Sequence, residues 1–205
     1  MKKEKIILVL NGKLFKKSEL TLFLKKYNKI ICVDGAANKV INANVKPDYI
    51  IGDLDSISRA NLIKYKNKII KFKNQNFNDL QKALIWLKKK GTSDMDIIGF
   101  DGKRADHMIN NFNIIIDRIN DFNIKIITDK GIFYTVDKNI TFNNVLNKSI
   151  SIFNKNQNNK ISSKGLKYEL KDRILTNIYD GTLNLAIKNN VSLVTKQKIL
   201  IFISN

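Results

Sequence analysis

The chain is expected to be an α/β protein, with an N-terminal three-layer α/β/α domain built on a mostly parallel sheet and a C-terminal antiparallel β-sandwich. Three observations predict this. Over the first 127 residues, short apolar runs alternate with amphipathic segments, the pattern of βαβ units whose strands are covered on both faces. Beyond about residue 128 helical periodicity fades, and short apolar stretches are separated by polar clusters, as in a small antiparallel domain. The length of 205 residues, 43% of them hydrophobic, suffices for one or two domains with proper cores. The boundary is placed at 127/128, giving domains of residues 1–127 and 128–205.

In chain order, strands are expected at 5–10, 29–34, 48–52, 68–72, 94–99 and 123–128, with helices near 18–26, 36–43, 58–66, 79–89 and 105–119. The first strand, Ile6 to Leu10, follows a Lys-rich start; its apolar run is too short for a signal peptide and lacks a small-residue cleavage site. The second contains Ile30-Ile31-Cys32-Val33 and is read as core, with Cys32 an inert thiol. Leu80, Ala83, Leu84 and Leu87 recur at helical spacing in 79–89, as do Met108, Phe112, Ile115 and Ile119 in 105–119. In the second half, apolar stretches at 132–136, 149–153, 182–187, 191–194 and 199–203 read as strands. The Asn/Lys-rich patch at 154–160 reads as a β-hairpin loop.

Charge bounds the function. Lys+Arg number 37 against 18 Asp+Glu, a formal net charge of +19. Such a balance raises a nucleic-acid partner. Yet 33 of the 37 are Lys, and Lys, Ile and Asn together make 94 of the 205 residues. AT-rich coding pressure favours all three, whereas nucleic-acid readers lean on Arg. Among polar partners, then, nucleic acid is not expected. One Cys and one His exclude a disulfide framework and clustered thiolate or imidazole metal sites. No apolar run approaches the roughly 20 residues of a membrane span. A cytoplasmic protein without membrane contacts is expected.

The acids carry the functional signal. Half of the 18 acidic residues are Asp between positions 34 and 106, and several follow an expected strand, on the edge where open α/β sheets bind ligands. Asp34-Gly35-Ala36 turns from strand to helix, with small residues that let a ligand approach the backbone. In Gly52-Asp53-Leu54-Asp55-Ser56, two carboxylates two residues apart can face one hard cation such as Mg²⁺, and Ser56 is expected to help cap the next helix. Asp79 opens the helix after Gln75, where, taken singly, simple dipole compensation is the better account. Gly99 to His107 joins strand to helix and offers Gly102, Arg104 and Asp106; Arg104 could hold a phosphate. His107 is read as a helix N-terminal residue bonded to a neighbour. There is no nucleophile elbow, Walker loop or dinucleotide fingerprint.

These segments, with Ala83-Leu84, Asn111 and the Gly165-Leu166-Lys167-Tyr168-Glu169-Leu170 stretch, resemble the thiamine pyrophosphokinase family over nearly the whole chain. The resemblance implies transfer of the pyrophosphoryl group of ATP to the thiamine hydroxyl with Mg²⁺, giving thiamine pyrophosphate and AMP. It further implies a nucleotide-binding catalytic domain at 1–127, a thiamine-binding sandwich at 128–205, and a homodimer. Implied as catalytic are Asp53, Asp55, Asp79 and Asp106, the first three as metal ligands. Asp34, Gly35, Gln75, Gly102, Arg104 and Asn184 are implied as nucleotide- or substrate-binding. The chain departs from the family pattern at Asn74, Asn76 and Asn78, and at Leu183-Asn184, where the family has Ser-Asn. Two alternatives stand beside this reading: a pyrophosphokinase acting on another alcohol such as a pterin, and a Lys-rich nucleic-acid-binding protein.

Overall fold

A computed structural model describes residues 4–72, 76–102 and 104–205. It divides into two units, Met1–Ile115 with Ile126–Thr128, and Ile116–Lys125 with Asp129–Asn205. In the first unit, β1 (Ile6–Val9), α1 (Lys17–Leu24), β2 (Lys29–Val33), α2 (Ala36–Asn42), β3 (Tyr49–Gly52), α3 (Arg59–Lys64), β4 (Ile69–Lys71), α4 (Asp79–Lys89) and β5 (Asp94–Ile98) alternate along the chain. α5 (Ala105–Asp117) and β6 (Asn123–Ile127) follow and are divided between the two units.

The strands of the first unit lie in the order β5-β1-β2-β3-β4, all parallel. The side chains of β1, β2 and β3 are buried on both faces almost throughout, which is why those runs read as continuous rather than alternating apolar sequence. Ile7, Val9, Ile30, Cys32 and Ile50 pack with Leu20, Leu24, Ala36, Ala37 and Val40 of α1 and α2. Leu8, Ile31, Ile51 and Ile97, at the alternate positions, are equally buried, and α4 packs on β2 and β3. After β1 the chain runs outward through β2, β3 and β4, then returns to place β5 on the other side of β1. That reversal opens a crevice at the C-terminal ends of the strands, the usual ligand position in open α/β sheets.

The second unit contains two antiparallel sheets. One orders β12 (Gly181–Leu185), β9 (Ser149–Phe153), β14 (Ile199–Ser204) and β7 (Gly131–Val136). The other orders β11 (Arg173–Ile174), β10 (Lys160–Lys164), β13 (Val191–Thr195) and β8 (Ile140–Phe142). Ile150, Ile152, Ile199 and Ile201 of the first sheet meet Ile161, Val191 and Leu193 of the second in one core, so the unit is a sandwich.

Three strands, β8, β10 and β11, were not expected from apolar runs. In Lys160-Ile161-Ser162-Ser163-Lys164 only Ile161 is apolar, and Ser163 takes the other inward position. The 154–160 segment also differs from the expected hairpin loop, since β9 and β10 belong to different sheets and the segment crosses between them. Its asparagines do structural work. Asn154 and Asn159 are buried; Asn159 Nδ2 donates to Asn154 Oδ1 (3.3 Å) and Thr195 Oγ1 (2.9 Å). Among the described residues, no helix is long and apolar enough to cross a membrane.

Candidate active site

The C-terminal edge of the parallel sheet collects the acids, and strand register explains how. Val33 on β2 is paired with Ile51 on β3, so the next residues, Asp34 and Gly52, leave the sheet side by side. Neighbouring strands are only about 4.8 Å apart, so Asp34 and Asp53 are brought together although 19 positions separate them. Gly52 (φ +154°) must be glycine: a Cβ there would lie 3.1 Å from Asp34 Cβ and 3.3 Å from an Asp79 carboxylate oxygen. Asp34 (φ 45°) and Leu54 (φ 75°) hold the left-handed conformation without being glycine, strain of order 1–2 kcal/mol each that clusters at functional turns.

Asp34, Asp53 and Asp55 each offer a carboxylate oxygen, all within 4.8 Å of one another. Asp34 is buried, Asp53 half-buried and Asp55 exposed. The turn is held from several sides. Ser56 N–H donates to Asp34 Oδ1 (3.3 Å), and Ser56 Oγ donates to Asp55 Oδ1 (2.8 Å). Asn38 of α2 donates to the Ser56 carbonyl and accepts from Ser58 N–H. The helix cap is Ser58, whose hydroxyl accepts from Asn61 N–H. Ser56, expected to help cap that helix, instead braces the acidic turn.

Asp79 stands apart from this trio. It opens α4, where Asn78 closes a capping box: Asn78 Oδ1 accepts from Gln81 N–H (2.8 Å), and Gln81 Oε1 accepts from Asn78 N–H (3.1 Å). Asp79 Oδ1 accepts from Lys82 Nζ at 2.9 Å, and the same ammonium lies 3.4 Å from Asp53 Oδ2. Lys82 is only 1% exposed. Burial pushes the Asp79 carboxyl above its ordinary range, against the pull of Lys82 and with the added push of Asp53 and Asp34. For Lys82 burial acts downward, but the hydrogen bonds and charges of Asp79 and Asp53 outweigh it, and the ammonium titrates above its ordinary range.

A cleft of about 580 Å³ opens beside the cluster, within the range of small-molecule sites. Asp34, Asp79, Arg104 and Asp106 line it, together with Asn11, Gly12, Phe100, Asp101, His107 and Asn111. Arg104 and Asp106 form an exposed ion pair, and the guanidinium hydrogen bonds hold the Asp106 carboxyl down at about 2. His107 lies in the first turn of α5, where it was expected.

Other expected site residues lie elsewhere. Gly35 and Gly102 are not among the cleft's lining residues. Both are closely approached: a Cβ on Gly35 would meet Asn11 Nδ2 at 2.6 Å, and one on Gly102 (φ +82°) would meet Lys13 Cβ at 2.5 Å. Gln75 lies outside the described residues. Asn184 belongs to the second unit, where its side chain is taken up by main chain. Asn184 Oδ1 accepts from Tyr168 N–H (3.1 Å), and Nδ2 donates to the Tyr168 carbonyl (2.7 Å). Sequence reasoning missed Lys82, which resembles one more solvated lysine. The available signal was its i,i+3 spacing from Asp79. It also missed the Asn11-Gly12 turn after β1, which carries no charge to mark it.

Hard oxygen donors without imidazole or thiolate suit Mg²⁺ or a similar cation. Beside them, a cleft of mixed polar and apolar lining with a guanidinium at a sheet switch point suits a phosphate-bearing ligand. Fold and site together fit the class of enzymes that bind phosphorylated ligands at the edge of an open α/β sheet. The thiamin pyrophosphokinase catalytic-domain model matches residues 20–128, and the model of the same family's substrate-binding domain matches residues 131–202. The chain belongs to the thiamin pyrophosphokinase family. It is an enzyme of pyrophosphoryl transfer, with thiamine and ATP as substrates.

Solved structures agree on the fold. The thiamine pyrophosphokinase of Bacillus subtilis superposes with a TM-score of 0.77 at 21% identity, over 98% of this chain and 99% of that one. That of Candida albicans gives 0.77 at 19%, over 98% and 89%. The yeast thiamin pyrophosphokinase gives 0.76 at 18%, over 100% and 87%. By sequence alone, no curated protein matches the chain.

Proposed function

We propose that the chain is a Mg²⁺-dependent ATP:thiamine diphosphotransferase whose nucleotide site is the cleft of the first unit. Residues 1–127 form its nucleotide-binding catalytic domain and residues 128–205 its thiamine-binding domain; the active species is a cytoplasmic homodimer. The observation that carries this reading is the convergence of Asp34, Asp53 and Asp55, one oxygen each within 4.8 Å, beside the cleft.

The thiamine hydroxyl attacks the β-phosphorus of ATP and AMP departs, so the protein must position the two and offset charge on the transferred group. Asp53 and Asp55, with Asp34, hold Mg²⁺, which when bound supplies that offset for the polyphosphate. Asp79 was expected as a third ligand; its ion pair with Lys82 favours Asp34 in that place. Arg104 exchanges Asp106 for phosphate oxygens, a swap open to it because the ion pair is solvent-exposed. An ordinary carboxylate, with a pKa of about 3.9, is a weak base for the hydroxyl proton. Asp79, shifted upward by burial, is the better matched acceptor. The cytoplasmic assignment is supported by a single buried thiol, Cys32, typical of reducing compartments.

The test is Asp53→Asn, assayed for AMP release from ATP with thiamine and Mg²⁺. The fold is expected to survive, since Asp53 is partly exposed, and turnover to fall by about 10² or more. Near-normal turnover would remove Asp53 from the cation site.

A further inference from the structure

A lysine that is 1% exposed is unusual; buried ammonium groups occur when carboxylates pair with them. Lys82 has two, Asp79 Oδ1 at 2.9 Å and Asp53 Oδ2 at 3.4 Å. It projects from the first turns of α4 toward the same sheet edge that carries Asp34 and Asp55. Four carboxylates therefore converge with one ammonium among them, and that ammonium lies on the Asp79 side.

We propose that Lys82 is a positioning residue that keeps the divalent cation at Asp34, Asp53 and Asp55 by occupying the Asp53–Asp79 side of the cluster. This rests on the Mg²⁺-dependent reading above. Lys82 neutralises part of the cluster, so it lowers the attraction for a second positive charge. It also holds Asp79 by an ion pair, which withdraws that carboxylate from competition for the cation. Its effect on cation affinity is therefore opposite in sign to its effect on turnover. A lysine that merely stabilises the fold has no such signature.

The experiment is calorimetric titration of Mn²⁺ into the nucleotide-free full-length protein, wild type against Lys82→Met, paired with steady-state AMP release. The variant is expected to bind Mn²⁺ about tenfold more tightly, because a nearby positive charge has gone. In the same protein kcat is expected to fall about tenfold or more, with the thiamine KM within about threefold, because the cation is no longer confined to its productive side. Lys82→Gln, which keeps a donor for Asp79 but no charge, is expected to tighten Mn²⁺ binding similarly and carries the test if the Met variant does not fold. Unchanged or weakened Mn²⁺ affinity in the variants, with a wild type that binds Mn²⁺ and turns over thiamine, overturns the role of Lys82 alone. A wild type with no affinity for Mn²⁺ overturns the parent reading as well. Failure of both variants to fold makes Lys82 a folding residue and overturns its positioning role.

Discussion

Arg104 and Asp106 sit two positions apart at the start of α5, each expected on the ligand and each found on the other. On the reading proposed above, this pair keeps the guanidinium oriented until phosphate oxygens replace Asp106. The pairing has a measurable consequence. The guanidinium hydrogen bonds hold the Asp106 carboxyl at about 2, below an unfolded value near 3.9. For an acid depressed in the folded state, the stabilisation is present above the unfolded value and is lost as pH falls through the folded one. The window is therefore from about 4 down to about 2. Carboxyl NMR titration is expected to give a midpoint near 2 for Asp106, returning toward 3.9 in Arg104→Gln. An unmoved midpoint in that variant would assign the shift to another cause.

The N-terminus of α4 shows how an element absorbs a departure from family pattern. Where the family carries Thr, this chain has Asn78, and both residue types cap helices well. Asn78 and Gln81 satisfy each other's main-chain N–H, which fixes the first turn and with it Asp79 and Lys82. Asn78→Ala is expected to cost about 0.5–2 kcal/mol in urea denaturation, whereas Asn78→Thr should be near neutral. Equal losses in the two would mean that the stabilisation does not come from the cap. The sandwich holds a comparable device at Tyr168, whose main chain is clamped by the Asn184 amide. Asn184 thus sets a loop, and Tyr168 and Leu183 beside it are left 63% and 87% exposed.

For the molecule as a whole, the charge of +19 is carried mainly by lysines spread along helix faces and loops, the distribution of a solvated surface. Leu183 is exposed in a left-handed conformation at a bulge of β12, and Tyr168 and Tyr179 are exposed in the same unit. Single exposed apolar residues are ordinary on a folded surface, so the test of a contact surface is the mass of the protein in solution. Sedimentation equilibrium is expected to report about twice 23.6 kDa for the homodimer proposed above. A mass of one chain at micromolar concentration would refute it.

The apolar runs of 205 residues were enough to determine the parallel strands of the first unit; the central ones, β1, β2 and β3, are continuously apolar because both their faces are buried. They determined the five helices within a few residues, α4 and α5 by apolar period. Asp53 and Asp55 were legible for a local reason: two carboxylates two residues apart in one turn are neighbours in any fold that makes the turn. Strand β10 was not legible, because Ser163 fills a buried position that an apolar pattern cannot mark. Nor was the crossover at 154–159, where buried asparagines imitate a polar loop. The last decisions were tertiary. Asp34 joins Asp53 because β2 and β3 are paired in a register that ends both together, and Lys82 reaches Asp53 as well as its helix neighbour Asp79 because α4 packs on β3. Sequence spacing sets which groups are near along one element. Only strand order and helix packing set which groups from different elements share a few ångströms, and at this site that sharing decides which carboxylates stand together.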